Sequence, residues 1–185
     1  MILVNGCSFT SGEESPIAWP DLIPNTVNIA KAGTSNDYIL RTTVNYIEKN
    51  DVSRVIIAWT SPNRIEINQK HLTPNSQRKY GEIVDIVFQD WDNAWAVDKF
   101  LTQIKLLSTY LVHKQISYVF VSAFDIQSIA GASPGCYSYL GWPNEGIVEW
   151  MGDCPKGPGG HPLELGHQRI AERINEYIRH LGWIS

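Results

Sequence analysis

A hydroxyl, an imidazole and a set of amide donors stand at separated places in this chain, and together they could break an acyl bond. Ser8 lies in the turn Asn5-Gly6-Cys7-Ser8-Phe9-Thr10, and His161 precedes Pro162 in the stretch GGHPLELGH near the last helical pattern. A serine hydroxyl is a weak nucleophile until an adjacent base takes its proton, and a neutral imidazole suits that task at neutral pH. Two further turns carry donors: NIAKAGTSND holds Gly33, Ser35 and Asn36, and AWTSPNR holds Thr60, Ser61, Asn63 and Arg64. Glycine and amide turns of this kind can stabilise the oxygen of a tetrahedral intermediate. Asn36, Thr60 and Trp142 are the candidate substrate contacts. Cys7 reads as a small buried side chain beside a strand end, because a reactive thiol needs a lowered pKa.

The elements that must position these residues are legible as alternating patterns. Four short apolar runs, Ile2–Val4, Thr26–Ala30, Arg54–Trp59 and Tyr118–Ala123, predict buried strands, each ended by a Gly, Ser, Thr or Asn cluster. Helical spacing of apolar residues follows Ser35-Asn36, recurs over 92–115, and returns at Ile170, Ile174 and Ile178. Strands apolar throughout, alternating with amphipathic helices, predict an α/β fold with a doubly wound parallel sheet covered on both faces. The turn after each strand is then the place to look for chemistry, since ligands bind at the carboxyl edge of such sheets. Two stretches fit less well: 63–90, with an extra hairpin or short strands expected around RIEI and EIVDIVF, and 124–160, rich in Gly, Pro and aromatics. Arg64 and Glu66 are expected to pair, and Pro162 is expected in the first helical turn, with His161 near its N-cap.

Composition sets the bounds. The 185 residues, 43% hydrophobic and 11% aromatic, predict one domain spanning 1–185. Fifteen basic against nineteen acidic residues, with no basic run, argue against nucleic acid as a partner. Cys7, Cys136 and Cys154 are odd in number and lack zinc spacing, so free thiols, no metal and no cofactor are expected. GCSFTSG is neither GxGxxG nor a P-loop. No window of 18 apolar residues exists and the start lacks a basic segment before an apolar run. Neither a membrane partner nor a signal peptide is expected, and a cytoplasmic location is.

The order of the polar turns resembles the SGNH (GDSL-type) hydrolases, in which four separated blocks bring Ser, Gly, Asn and His into one site. GCSFT is similar to the first block, usually GDS; NIAKAGTSN to the second, with Gly33 as its glycine; WTSPNR stands in the place of the third; and GGHP is similar to the last, usually DxxH. The resemblance runs from residue 2 to residue 181. It implies a three-layer, flavodoxin-like sheet and a serine esterase acting on small acyl esters, such as O-acetyl groups on carbohydrate, with Ser8 as nucleophile and His161 as base. The oxyanion donors would be the amides of Ser8 and Gly33 with Asn63 or Ser61. Two positions depart from the pattern: Cys7 replaces the usual Asp, and Pro158 stands three residues before His161, where the family has a carboxylate. Either Asp153 or a backbone carbonyl of the 153–160 loop is then expected to accept from His161 Nδ1. A catalytically silent binding domain on the same fold is the alternative. Tyr80, Trp91, Trp95, Tyr137, Tyr139, Trp142 and Trp150 crowd the irregular segments and could stack on sugar rings or pack internally.

Overall fold

The computed structural model describes residues 1–124, 129, 133–136 and 138–185, and of Gln77 and Arg78 the backbone alone. Its sheet is built from β1 (Ile2–Asn5), β2 (Thr26–Asn28), β3 (Arg54–Trp59) and β6 (Ser117–Ser122) in the order β2-β1-β3-β6. Every neighbouring pair is parallel, with Ile2 opposite both Thr26 and Arg54, and Arg54 opposite Ser117. A parallel bridge from Phe120 to Tyr139 extends the pairing beyond β6.

Successive residues of the central strands point into different cores, as a period of two demands. Ile2, Val4, Ile56, Ala58, Val119 and Val121 pack on one face, against α6 (Ile147–Met151), α7 (Glu164–His180) and the short 3₁₀ turn Trp19–Leu22. Leu3, Val55, Ile57, Trp59 and Phe120 pack on the other, against α2 (Asn36–Ile47) and α5 (Asn93–His113). This is the doubly wound, three-layer arrangement that the continuous apolar runs predict. α5 shows how the pattern is met: Asp92 Oδ1 accepts from the Ala94 amide at 2.8 Å to cap it, and Phe100, Ile104, Leu107 and Leu111 form its buried stripe. Burying each such side chain contributes about 1.5–3 kcal/mol. α7 does the same with Ile170, Ile174 and Ile178.

The 63–90 stretch differs in part from expectation. RIEI does form a hairpin, β4 (Ile65–Ile67) with β5 (Lys70–Leu72), turned by Asn68 and Gln69 at φ 47° and 64°. EIVDIVF is instead helical: α3 (Gln77–Tyr80) leads into α4 (Glu82–Phe88). Four of its five apolar residues, at 83, 84, 87 and 88, share one helical face that packs on Ile65 and Leu72, while Ile86 is exposed. β2 ends at Asn28 rather than at residue 30, although the Ile29 amide still donates to Val4 O.

Candidate active site

β1 leads into α1 (Ser8–Ser11) through a turn locked at Asn5. Asn5 is fully buried; its Oδ1 accepts from the Gly6 amide at 2.9 Å, and its Nδ2 donates to Ile39 O, Thr42 Oγ1 and Thr43 Oγ1 on α2. Gly6 has to be glycine, because a Cβ there would strike the Thr10 side chain and stand 3.0 Å from Ala58 O. Cys7 is buried in the α7-side core. Ser8 is the first residue of α1 and mostly buried, and its Oγ makes no hydrogen bond among the described residues. Gly12, at φ 78°, ends this helix after one turn and sends the chain into Glu13 and Glu14.

The second turn is laid against the first: the Lys31 amide donates to Gly6 O at 3.3 Å and Thr34 Oγ1 to Lys31 O at 2.9 Å. Gly33 adopts φ 72° with open space where a Cβ would be, so its backbone is approachable. Asn36 and Thr60 are buried and bonded to each other, Asn36 Nδ2 to Thr60 O at 2.8 Å and Thr60 N to Asn36 Oδ1 at 2.9 Å. That reciprocal pair ties the second turn to the third. In the third, Ser61 Oγ accepts from the Asn63 amide, and Asn63 Oδ1 accepts from Trp91 Nε1 at 2.9 Å, which fixes the amide and leaves Nδ2 as its donor. Glu66 pairs with Arg41 at 2.6 Å rather than with Arg64, which reaches Thr34 O. Arg41 lies on the neighbouring helix α2, and Arg64 points back into the second turn.

His161 sits in a closed loop. Gly157 N donates to His161 O, Gly160 N to Gly157 O, and Leu163 N to Pro155 O. α7 begins at Glu164, so Pro162 lies before the helix rather than in its first turn, and the helix end does not account for the ring's placement. A Cβ on Gly166 would come within 2.6 Å of both Pro162 Cβ and Cys154 Sγ, so α7 is seated directly on this loop. The His161 ring packs edge-on against Phe9, centroids 5.4 Å apart, which brings it to the residue next to Ser8. Its nitrogens face two carboxylates: Nδ1 is 2.9 Å from Glu14 Oε2, and Nε2 is 3.4 Å from Glu13 Oε2. No hydrogen bond joins Ser8 Oγ to the ring. Asp153 is turned outward, its side chain 98% exposed and paired with Arg169 at 3.1 Å, and that hydrogen bond holds its carboxyl below the usual range. The carboxylate on Nδ1 is thus Glu14's. The pairing is not legible in sequence, because 147 positions separate the partners.

His167 is fully buried, and its Nδ1 accepts from the Trp19 amide at 3.2 Å. Burial pushes its pKa down, so the folded state holds it neutral while the unfolded chain takes a proton below the ordinary value near 6.5. The unfolded state therefore binds more protons in that window, and stability falls as pH drops below about 6.5. His167→Gln, which keeps an acceptor for Trp19, is expected to flatten the dependence of Tm on pH between 7 and 5. Parallel slopes for the two proteins would remove His167 from the account.

Among the aromatic residues, Tyr139 is committed to the interior: its hydroxyl bonds Ser122 Oγ at 2.8 Å and burial raises its pKa strongly. Trp142 packs on Tyr139, centroids 5.0 Å apart, on the α2 and α5 face. Tyr137 lies outside the described residues. Trp95 is half exposed, edge-on to Trp91 at 5.4 Å, and so stands near Asn63. A cleft of about 690 Å³ opens beside the second turn, lined by Lys31, Tyr38, Arg41, Glu66 and His71 among others. Among the described residues no group of three His, Cys, Asp or Glu side chains is arranged to hold a metal ion, and no helix is long and apolar enough to cross a membrane. All three cysteines are free thiols.

No family model and no curated protein matches the sequence. Solved structures do match in shape. A psychrotrophic esterase, EstA, from Pseudoalteromonas sp., in a structure inhibited by monoethylphosphonate, superposes with a TM-score of 0.63 at 12% identity over 97% of each chain. The chain has the fold of the GDSL-type (SGNH) esterases. A member of the lipolytic protein G-D-S-L family from Veillonella parvula DSM 2008 gives 0.56 at 13% identity over 96% of this chain and 97% of that one. In a GDSL-type fold of this strand order, the switch point lies between β1 and β3, and the turns after those two strands carry Ser8 and Ser61–Asn63.

Proposed function

We propose that the protein is a serine hydrolase of small acyl esters, with Ser8 as nucleophile and His161 as base. The observation that carries this is the meeting of the His161 ring with Phe9 and a carboxylate at Nδ1, at the turn after the central strand β1. Ser8 Oγ attacks the ester carbonyl as its proton passes to His161 Nε2; the alcohol leaves with that proton, and water then releases the acid from the acyl-enzyme. The Ser8 and Gly33 amides, with Asn63 Nδ2 or the Ser61 hydroxyl, stabilise the oxyanion. Nε2 must be bare for this, so Glu13, whose side chain is 45% exposed, has to swing off the ring.

An O-acetyl group on a sugar suits the surroundings, because the half-exposed Trp95 ring beside Trp91 and Asn63 offers a stacking surface next to the third turn. The silent binding domain was suggested by the missing DxxH carboxylate, and Glu14 on Nδ1 takes that motive away.

The test uses the chemistry named for the Pseudoalteromonas esterase. An alkyl phosphonate ester with a good leaving group is expected to inactivate the protein and add one phosphonyl group to the peptide holding Ser8. Labelling that survives Ser8→Ala undiminished, or no labelling of the folded protein, overturns the assignment.

A further inference from the structure

We infer that Glu14, and no residue of the histidine's own loop, is the positioning residue for His161: its carboxylate holds the proton on Nδ1 and leaves Nε2 as the basic nitrogen. The inference rests on the serine hydrolase reading for its catalytic consequence, but the geometry stands by itself.

Three donors converge on this one carboxylate: the Gly159 amide at 2.7 Å on Oε1, and the His161 amide at 3.2 Å and ring Nδ1 at 2.9 Å on Oε2. The Gly159 hydrogen bond, followed by that of His161, holds the Glu14 carboxyl below the usual range, so it is ionised wherever an imidazole is neutral. An ionised carboxylate only accepts, so the ring nitrogen facing it must carry the hydrogen. Nε2 makes no hydrogen bond to Glu13, whose Oε2 stands 3.4 Å away, and it is the base once that exposed side chain withdraws. A simple surface ion pair would need neither the two amides nor the space cleared for the carboxylate. That space comes from the loop's glycines: a Cβ on Gly157 would come within 2.7 Å of Glu14 Cδ, and one on Gly159 within 2.9 Å of Oε2. Glu14 itself adopts φ 69°, a left-handed conformation that a side chain of its type takes only when its surroundings impose it. Asp153, the nearest acidic residue before His161 in the sequence, is occupied by Arg169. The carboxylate comes from the segment after the nucleophile and not from the histidine's own loop, so one short stretch, residues 8–14, carries both the attacking group and the group that orients its base.

The experiment compares wild type, Ser8→Ala, Asp153→Asn, Glu14→Gln and Gly159→Ala in two readouts. In p-nitrophenyl acetate hydrolysis, Glu14→Gln is expected to lower kcat by about 10²- to 10⁴-fold with little change in KM, because a neutral amide can donate to Nδ1 and stabilise the wrong tautomer. Asp153→Asn should remain within a few-fold of wild type. In long-range proton–nitrogen spectra of the His161 ring near pH 8, wild type should show hydrogen on Nδ1, and Glu14→Gln should shift it toward Nε2. Gly159→Ala keeps the carboxylate but displaces it, so the same shift there supports the inference even if Glu14→Gln does not fold. A ring whose hydrogen distribution is the same in wild type and both variants overturns it. So does wild-type kcat in folded Glu14→Gln. Should Ser8→Ala hydrolyse the ester as well as wild type, the hydrolase reading falls, and the ring spectra still decide what Glu14 does.

Discussion

Ser8→Ala and His161→Ala are each expected to lower ester turnover by about 10³-fold or more, and the double variant to be hardly slower than either single one. The two groups act as one unit: without the hydroxyl there is nothing for the imidazole to activate, and without the imidazole the hydroxyl keeps its proton. What survives is binding and whatever the turn amides contribute to the oxyanion, which in such sites still exceeds the rate in water. His161 Nε2 faces Glu13, and Ser8 Oγ makes no bond to the ring, so the catalytic contact has to form when substrate enters and Glu13 withdraws. Catalytic hydrogen bonds that tighten only in the substrate complex are common. Cys7→Ala should retain most of the turnover, because that thiol is buried in the α7-side core. Steady-state kinetics on these four variants and the wild type decide the matter. Multiplicative losses in the double variant would mean that Ser8 and His161 work separately, and loss confined to Cys7→Ala would move the nucleophile to the thiol.

The parts of this fold that depend on nearest neighbours in sequence were readable, and the parts that depend on distant ones were not. The run RVIIAW is buried on both faces because a central parallel strand has helices above and below it, and its composition says so directly. The stripe Phe100, Ile104, Leu107 and Leu111 announces α5 in the same way. EIVDIVF misleads because its β-branched residues favour a strand while their spacing favours a helix, and here the spacing wins through contact with Ile65 and Leu72. Around the site, the turns after β1, β2 and β3 were found because their residue types are unusual at strand ends. Glu14 was not, since nothing local to Glu13-Glu14 distinguishes an exposed acidic pair from one that folds back onto a histidine. Nor does the sequence show that Asn36, which opens α2, and Thr60, just past β3, bond one another and hold two turns together.

The largest structural effect is expected at Asn5, which sequence reading passed over as one more turn residue. Its side chain uses both donor hydrogens and its oxygen at once, joining the end of β1 to α2 through Ile39, Thr42 and Thr43 while it fixes the amide of Gly6. Leucine has the same branching with bulkier ends, so none of the loss would come from a cavity. It would leave the buried Gly6 amide without its acceptor and strip two threonine hydroxyls of a donor. Leaving a buried polar group unpaired costs about 1–3 kcal/mol, and with the threonines partly re-satisfied within α2 the total for Asn5→Leu comes to roughly 2–4 kcal/mol. For a chain of this size that corresponds to a fall in Tm of about 5–15 °C. The turn that bears Ser8 hangs on the same bonds, because Gly6 is packed against Thr10 and Ala58 O and cannot shift without carrying Cys7 and Ser8 along. Asn5→Leu should therefore lower kcat at temperatures well below its own melting point, where the population of unfolded protein is negligible. Thermal unfolding and kinetics on the same preparation separate the two effects. An unchanged Tm would show that Asn5 does not anchor β1 to α2, and a lowered Tm with wild-type kcat would show that the anchor does not set the position of Ser8.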